Sequence, residues 1–444
     1  MGNGWPVMDP LRFSARELPM ERPAIGIDFG TSNTAAAVLD GLRPRIIHLE
    51  EDQATLPTAV FLDYSARQTL VGRAAVSAMI DGRYGRFMRS LKSILGTPLA
   101  RERRQFLNEK LTLLEIIARF LAVVRSRAES DLGQPIDRVF AGRPVHFHSA
   151  EPTRDRQAEV DLMECYRLAG FSDVTFVLEP EAAALAAGPG NGLGLIVDIG
   201  GGTSDFTLFR PKSGGVEIVA SHGVRIGGTD FDRALSLSQV MPLLGLGGEL
   251  KNELGTGRNS VPPALFHELA SWEKIAFVYG ADTLRDARRM QRLAIEPVRL
   301  KRLVTVLEME LGHDIAFAVE AGKIAANRLS QGSIDLGQVE RGLSPVVRET
   351  DLLTALWPLA EKVGLGAHET LDIAGIAASQ IDRVVFVGGS SLMSVIDRLM
   401  RSHFPNATFE HSEVFTAVVD GLALASGPQT GNLPAGAAER IRPA

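Results

Sequence analysis

Two stretches of this chain share one plan. Residues 25–40 read IGIDFGTSNTAAAVLD and residues 196–209 read IVDIGGGTSDFTLF. In each, strand-forming residues run into Asp-x-Gly, a short turn of Gly, Thr, Ser or Asn follows, and a second strand-forming run begins at once. A glycine turn between strands leaves backbone N–H groups free of side-chain cover, and such concave arrays bind anions. An aspartate beside the turn would repel a bare phosphate. It fits if a divalent cation lies between, because Mg²⁺ keeps several waters and is held by one or two carboxylates plus phosphate oxygens. Two such turns, carrying Asp28 and Asp198, can grip a polyphosphate from both sides. The expected ligand is a magnesium nucleotide. Taken singly, either turn reads almost as well as a plain hairpin; the pair weakens that reading. Neither is a P-loop, for the Gly-Lys-Ser/Thr ending is missing, and neither is a dinucleotide fingerprint, for a strand follows where a helix is required.

Composition bounds the rest. At ~150 residues per domain, 444 residues suggest two large units or about three smaller ones. Apolar residues at 45% and charged residues at 23% are an ordinary globular balance. A net charge of −6 argues against a nucleic-acid surface. Cys165 is the sole cysteine, so neither an intrachain disulfide nor a thiolate metal cluster can form, which fits a reducing, cytoplasmic setting. No apolar run approaches the ~18 residues of a membrane span.

Along the chain, residues 1–23 read as a polar leader and 427–444 as a flexible tail. LTLLEIIARFLAVVRSRAESDLG has helical apolar spacing and ends near Gly133, DRVFAGRPV reads as a buried strand, and DVTFVLEPEAAALAAG is a strand leading into a helix with Pro180 in its first turn. Residues from about 264 to 330 are mostly helical in pattern, DRVVFVGGSSLMSVIDRLM is strand, Gly-Gly turn and helix, and VFTAVVDGLALAS is a last helix. The expected class is α/β: two lobes of similar plan, each opening on a strand–turn–strand, around a cleft. The first covers 24–210 with an insert at about 60–130, the second 211–426 with a helical insert at about 246–325. The arginine-rich LRDARRMQRLAIEPVRLKRL reads as a solvated face.

These residues carry a resemblance. IGIDFGTSN, VDIGGGTSDF, IGGTDFD at 226–232 and VVFVGGSSLM at 384–393 resemble the nucleotide-binding signatures of the actin-like ATPase superfamily, closest to the heat shock protein 70 (DnaK-type) chaperones and similar in length to their shortened YegD-like branch. The resemblance implies two ribonuclease-H-like, actin-like ATPase lobes around a nucleotide cleft, ATP or ADP with Mg²⁺, slow ATP hydrolysis, a protein client or cochaperone as partner, and a monomer with no nucleic-acid or membrane partner. It makes Gly30, Thr31, Ser32 and Asn33 the first phosphate turn and Gly200, Gly201, Gly202 and Thr203 the second. Asp28 and Asp198 would hold magnesium through water, with Asp205 a third carboxylate near the metal and the attacking water. Glu179 would orient that water and Lys92, in RSLKSILG, would meet the γ-phosphate; Thr203 joins these in the hydrolytic set. Gly227 and Gly228 match a further phosphate-facing turn, Glu320 and Lys323 the ribose helix, and Gly388, Gly389, Ser390 and Leu392 the adenosine turn.

Without the resemblance Lys92 is an ordinary solvated lysine, Glu179 a helix N-terminal acid that complements the macrodipole, and Glu320 with Lys323 an exposed i,i+3 pair. The sequence also departs from the family. Where arginines usually flank the adenine, Ile324 and Leu392 stand, so weaker binding or altered base preference is expected. No apolar linker into a peptide-binding domain is visible, and a chaperone without that domain is expected. Two other readings share the superfamily: an actin-like filament protein, and a small-molecule kinase in which Asp205 would serve as the base.

Overall fold

The computed structural model describes residues 23–427, except 52, 149–150, 189–191, 213–214, 254–255, 273 and 412–415. The expected leader and tail lie outside the described residues apart from Pro23 and Gly427. The class is mixed α/β, with two large sheets of matching strand plan. In the first, Ala24–Phe29, Asn33–Asp40 and Arg43–Ile47 form an antiparallel meander, and Arg138–Arg143 then Asp173–Leu178 extend it in parallel beyond Ala24–Phe29. In the second, Gly194–Ile199, Ser204–Lys212 and Gly215–Val224 form the meander, and Arg383–Val387 then Thr408–His411 extend it in parallel beyond Gly194–Ile199. Continuous apolar runs such as RVVFV, buried at every position, are what a parallel strand covered on both faces requires.

Insertions between these strands carry local signals. Helix Leu113–Leu132 starts at a Thr112/Glu115 capping box and stops at Gly133, which is left-handed. A three-stranded sheet of Gln68–Val71, Ala59–Asp63 and Gly85–Arg89 precedes it and delivers the chain to the Leu91–Ile94 turn that carries Lys92. Ala281–Leu293, Pro297–Glu308 and Gly312–Leu329 are the main helices between the second meander and its parallel strands. The arginine-rich stretch lies on the first two of these. Arg285, Arg288, Arg289, Arg299 and Arg302 pair with Asp282, Glu308, Glu253, Glu296 and Glu340, so the stretch is a self-neutralised, solvated face. The longest helix, Glu349–Ala374, was not legible as one element, since Pro358, Gly364 and Gly366 interrupt its pattern. It lies against the second meander, where a side chain on Gly366 would meet the Phe206 ring. No described helix is long and apolar enough to cross a membrane.

Each sheet has its own core, and a third apolar cluster joins them. Phe140 from the first sheet, Ile196, Phe209, Val385 and Val387 from the second, and the helices Glu179–Ala187 and Ala417–Ala425 share it. The two helices cross at almost backbone contact: a Cβ on Gly421 would lie 1.7 Å from the Ala182 carbonyl oxygen. The alanines of EPEAAALAA make that approach feasible, and Leu422 and Ala423 in turn lie over Gly26 of the first sheet. Overpacking of this kind costs about 1–3 kcal/mol or more. Gly421→Val is therefore expected to lower the unfolding free energy measured in urea by at least that much, with a lower midpoint, and to loosen the spacing of the two sheets. A midpoint equal to wild type would mean that the crossing is not a fixed spacer.

Candidate functional site

The two hairpins close in the same register. Phe29 pairs with Thr34 and Ile199 with Ser204, leaving residues 30–33 and 200–203 as the turns. Although they belong to different sheets, the turns meet, for a Cβ on Gly201 would stand 2.5 Å from Ser32 Oγ. Gly200 N–H donates to the Thr203 carbonyl at 2.9 Å, whereas the N–H groups of Gly201 and Gly202 have no partner among the described residues. The Gly388 turn closes a third side. Its φ of +79° suits glycine, and a side chain there would fall 2.7 Å from Asp198 Oδ1.

The result is a cleft of about 1100 Å³. Of the residues singled out from sequence, all but Gly227 line it: both turns, Asp28, Asp198, Asp205, Lys92, Glu179, Gly228, Glu320, Lys323 and Gly388 to Ser390 with Leu392. Gly227 packs behind the second turn, against the backbone of Gly201 and Gly202. Gly227 N–H donates to Asp230 and Gly228 N–H to the Gly200 carbonyl at 2.9 Å, so this turn buttresses the second one and its own N–H groups are already satisfied.

Acid dominates the floor. Glu179 leads its helix directly from the end of Asp173–Leu178, two strands from Asp28, and Gly142 on the strand between leaves room for both carboxylates. Asp198 faces Asp205 across the second hairpin. Lys92 Nζ donates to Glu179 Oε1 at 2.6 Å; it is a nearly buried, paired group and not a solvated lysine. Burial opposes charge on Lys92, but Glu179 and Asp28 outweigh it and hold the ammonium above its ordinary range. One cation does not balance this set. Burial, with repulsion from Glu179, pushes Asp28 up to about 7. Burial pushes Asp198 well up, and Asp205, Glu179 and Asp28 add to it. Asp205 is pushed up to about 6 by burial and by Glu179, against the Thr203 hydroxyl that donates to it at 3.1 Å.

This donor set fits a hydrated divalent cation. Among the described residues no three His, Cys, Asp or Glu side chains converge to ligate an ion directly. Burial first, and repulsion from neighbouring carboxylates second, push up Asp28 and Asp198, and a cation with its own water shell between them would offset both.

The other end of the cleft corrects one sequence reading. Lys323 does not pair with Glu320 one turn away; its Nζ lies 2.7 Å from Asp232 Oδ1, as an ion pair whose angle is too poor for an aligned hydrogen bond. Burial pushes Asp232 up to about 6, with Lys323 opposing. Asp232 lay within the quoted IGGTDFD and was passed over. Asn327 was missed as well. Its side chain donates to the Leu392 carbonyl at 3.0 Å and accepts from Ser394 N–H at 2.8 Å, tying the Gly312–Leu329 helix to the Gly388 turn. Ile324 and Leu392 line this end with 46% and 42% of their surface exposed, an apolar rim free to be covered by a ligand. Arg89 lies over the Trp272 ring at 4.9 Å, joining the strand that leads to Lys92 to the helical insertion of the second half.

A family model described as Hsp70 protein matches residues 24–240, a span holding both hairpin turns, Lys92, Glu179 and Asp232. Over that span the chain matches the Hsp70 family. With it comes the actin-like ATPase superfamily. The Hsp70 family is one of nucleotide-binding chaperones, and a cleft built from paired glycine turns is consistent with that chemistry. The match ends at 240, yet the Gly312–Leu329 helix and the Gly388 turn complete the same cleft.

The acid excess has a measurable consequence. A carboxyl raised on folding favours the folded state below its unfolded value, and that stability is lost as pH rises through the folded value. For Asp28 the window runs from 3.8 to about 7. The nucleotide-free protein should thus lose stability across it. Asp28→Asn should raise the unfolding free energy at pH 7.5 by about 0.5–2 kcal/mol and flatten the pH dependence. A destabilised Asp28→Asn protein would contradict this account of the floor.

Proposed function

We propose that this protein is a magnesium-dependent, slowly hydrolysing ATPase of the Hsp70 type, with two ribonuclease-H-like lobes, 24–210 and 211–426, carrying inserts at about 60–130 and 246–325. The observation that carries the proposal is the meeting of the two turns: Gly201 stands against Ser32, with Asp28 and Asp198 acting on each other across the same cleft.

The roles follow from the chemistry. The unpartnered N–H groups of Gly201 and Gly202, with the Gly30–Asn33 turn opposite, bind the β- and γ-phosphates. Asp28 and Asp198 hold magnesium through its waters, and the ion when bound neutralises phosphate charge. Lys92, pinned by Glu179, stabilises charge that builds on the γ-phosphate. Glu179 and Asp205 orient the attacking water, and Thr203 fixes Asp205. Glu320 and Lys323 take the ribose, Lys323 being held ready by Asp232. Gly388 to Ser390 follow the adenosine, and Ile324 and Leu392 cover the base by apolar contact alone. Phosphoryl transfer to water needs positioning and charge more than covalent chemistry, and the cleft supplies both.

Nucleotide titrations and phosphate-release assays test this reading. Lys92→Ala should retain binding and lose about 10²–10³ in turnover, while Asp198→Ala should lose the magnesium dependence of binding. Because Asp28 and Asp205 must deprotonate beside the cation, affinity for the magnesium complex should rise from pH 5.5 to 7.5. Wild-type turnover in both variants would remove the site from this cleft.

The base end gives a separate measurement. A guanidinium over a flat ring adds ~0.5–2 kcal/mol, which wild type forgoes at Ile324. Ile324→Arg should therefore tighten ATP binding by about two- to thirtyfold and sharpen discrimination against GTP. Equal ATP and GTP affinities in both proteins would show that the base does not rest on this rim.

A further inference from the structure

The turn that carries Lys92 is held from a helix behind it. Asp161, on helix Pro152–Leu168, is fully buried. One of its carboxylate oxygens accepts the Gly96 N–H at 2.8 Å. The other accepts Arg101 Nε at 3.0 Å, Arg101 Nη2 at 2.7 Å and Gln157 Nε2 at 2.8 Å. Arg101 also reaches Glu164, on the same helix, at 2.7 Å. Gly96 lies flat on that helix. Its φ is +76°, and a Cβ there would stand 2.3 Å from the Arg154 carbonyl oxygen, so only glycine lets the loop come this close.

From Gly96 the constraint runs back to Lys92 through short local bonds. Thr97 donates its N–H and its hydroxyl to the Ile94 carbonyl, at 3.1 and 2.6 Å. Leu95 N–H donates to the Lys92 carbonyl at 3.3 Å, and the Leu95 carbonyl meets a ring nitrogen of His148 at 2.6 Å. Leu91 and Leu95 are both buried. At the other end Ser93 donates its N–H and its hydroxyl to the Ser90 carbonyl, at 3.1 and 2.7 Å. Ser90 is left-handed, with φ +58°, a conformation serine keeps only where its surroundings hold it. Lys92 thus leaves a turn fixed at both ends, and its nearly buried ammonium meets Glu179 at 2.6 Å.

A buried carboxylate paired with arginine is a poor means of gaining stability, since apolar residues of like volume often serve as well. Its short, directional, charge-assisted bonds set positions instead. We propose that Asp161 is the positioning residue for Lys92: by holding Gly96 to helix Pro152–Leu168 it fixes the turn, and through the turn the place where the Lys92 ammonium meets Glu179 and a terminal phosphate. The inference rests on the ATPase reading above, in which Lys92 stabilises charge on the γ-phosphate. A shift of about 1 Å in such a group can cost about 10²-fold in rate. Asp161→Asn keeps the shape of the side chain and removes its charge, so it loosens the turn without emptying the site.

The test uses the full chain as wild type, Asp161→Asn and Arg101→Gln, the last at a side chain 45% exposed and so the milder change. Single-turnover phosphate release from preformed magnesium-ATP complex counts only folded, loaded molecules. Asp161→Asn should bind ATP within about twofold of wild type and release phosphate about tenfold more slowly, and Arg101→Gln about threefold more slowly. Carbon-13 NMR of the lysine Cε atoms gives a readout that a merely structural role would not move. The Lys92 resonance, assigned by its loss in Lys92→Ala, should shift toward those of exposed lysines in both variants. Wild-type release rates, or slowed release with the Lys92 resonance unmoved, overturn the positioning role and leave the ATPase intact. If Asp161→Asn does not fold, Arg101→Gln decides by the same two measurements. A wild type that binds ATP but releases no phosphate overturns the ATPase reading, and the resonance alone then decides whether Asp161 holds Lys92.

Discussion

The two sheets share one apolar cluster, and its tightest approach is the crossing of helices Glu179–Ala187 and Ala417–Ala425 at Gly421. There a single hydrogen separates one backbone from the Ala182 carbonyl. Because the helices sit between the sheets and share a core with both, their separation sets how far apart the two hairpin turns stand. A larger residue at Gly421 would transmit its bulk to the turns, since packed interiors do not absorb such strain locally. The same helix that starts at Glu179 also supplies a carboxylate to the floor, so spacing and chemistry are set by one element.

The second constraint is electrostatic. Four carboxylates with one lysine between them are a poor way to stabilise a fold. Asp28, Asp198 and Asp205 are all raised above their ordinary range by burial and by one another's neighbourhood, a clustering of perturbed groups common at functional sites. Lys92 and Glu179 relieve part of the repulsion by pairing, and in doing so preset both side chains at the end of the cleft where a terminal phosphate would lie. The opposite end of the cleft repeats the device with Lys323 and Asp232.

Much of this was legible in the residues. The two Asp-x-Gly turns announced themselves because a strand–turn–strand has a local signature, and their identical closure at Phe29/Thr34 and Ile199/Ser204 follows from it. Helix Leu113–Leu132 was legible through its cap, its apolar spacing and Gly133. What escaped had no local mark. Asp232 looks like any helix acid, and only the buried approach of Lys323 from a distant helix gives it a role. Asn327 acquires its function from two hydrogen bonds to a turn more than sixty positions away. Gly227 and Gly228 came in as a phosphate-facing turn through the resemblance, and only the fold shows their N–H groups taken by Asp230 and the Gly200 carbonyl.

Sequence by itself therefore determined the α/β class, the two hairpins and the acidic pair, because each depends on spacing within a few residues. Only the tertiary structure decided that Lys92 is paired with Glu179, that Lys323 chooses Asp232 over Glu320, and that Ser32 touches Gly201. Those outcomes depend on the separation and rotation of two sheets, fixed by side chains and backbones far apart in the chain, and no local pattern encodes a distance between elements that meet only after folding.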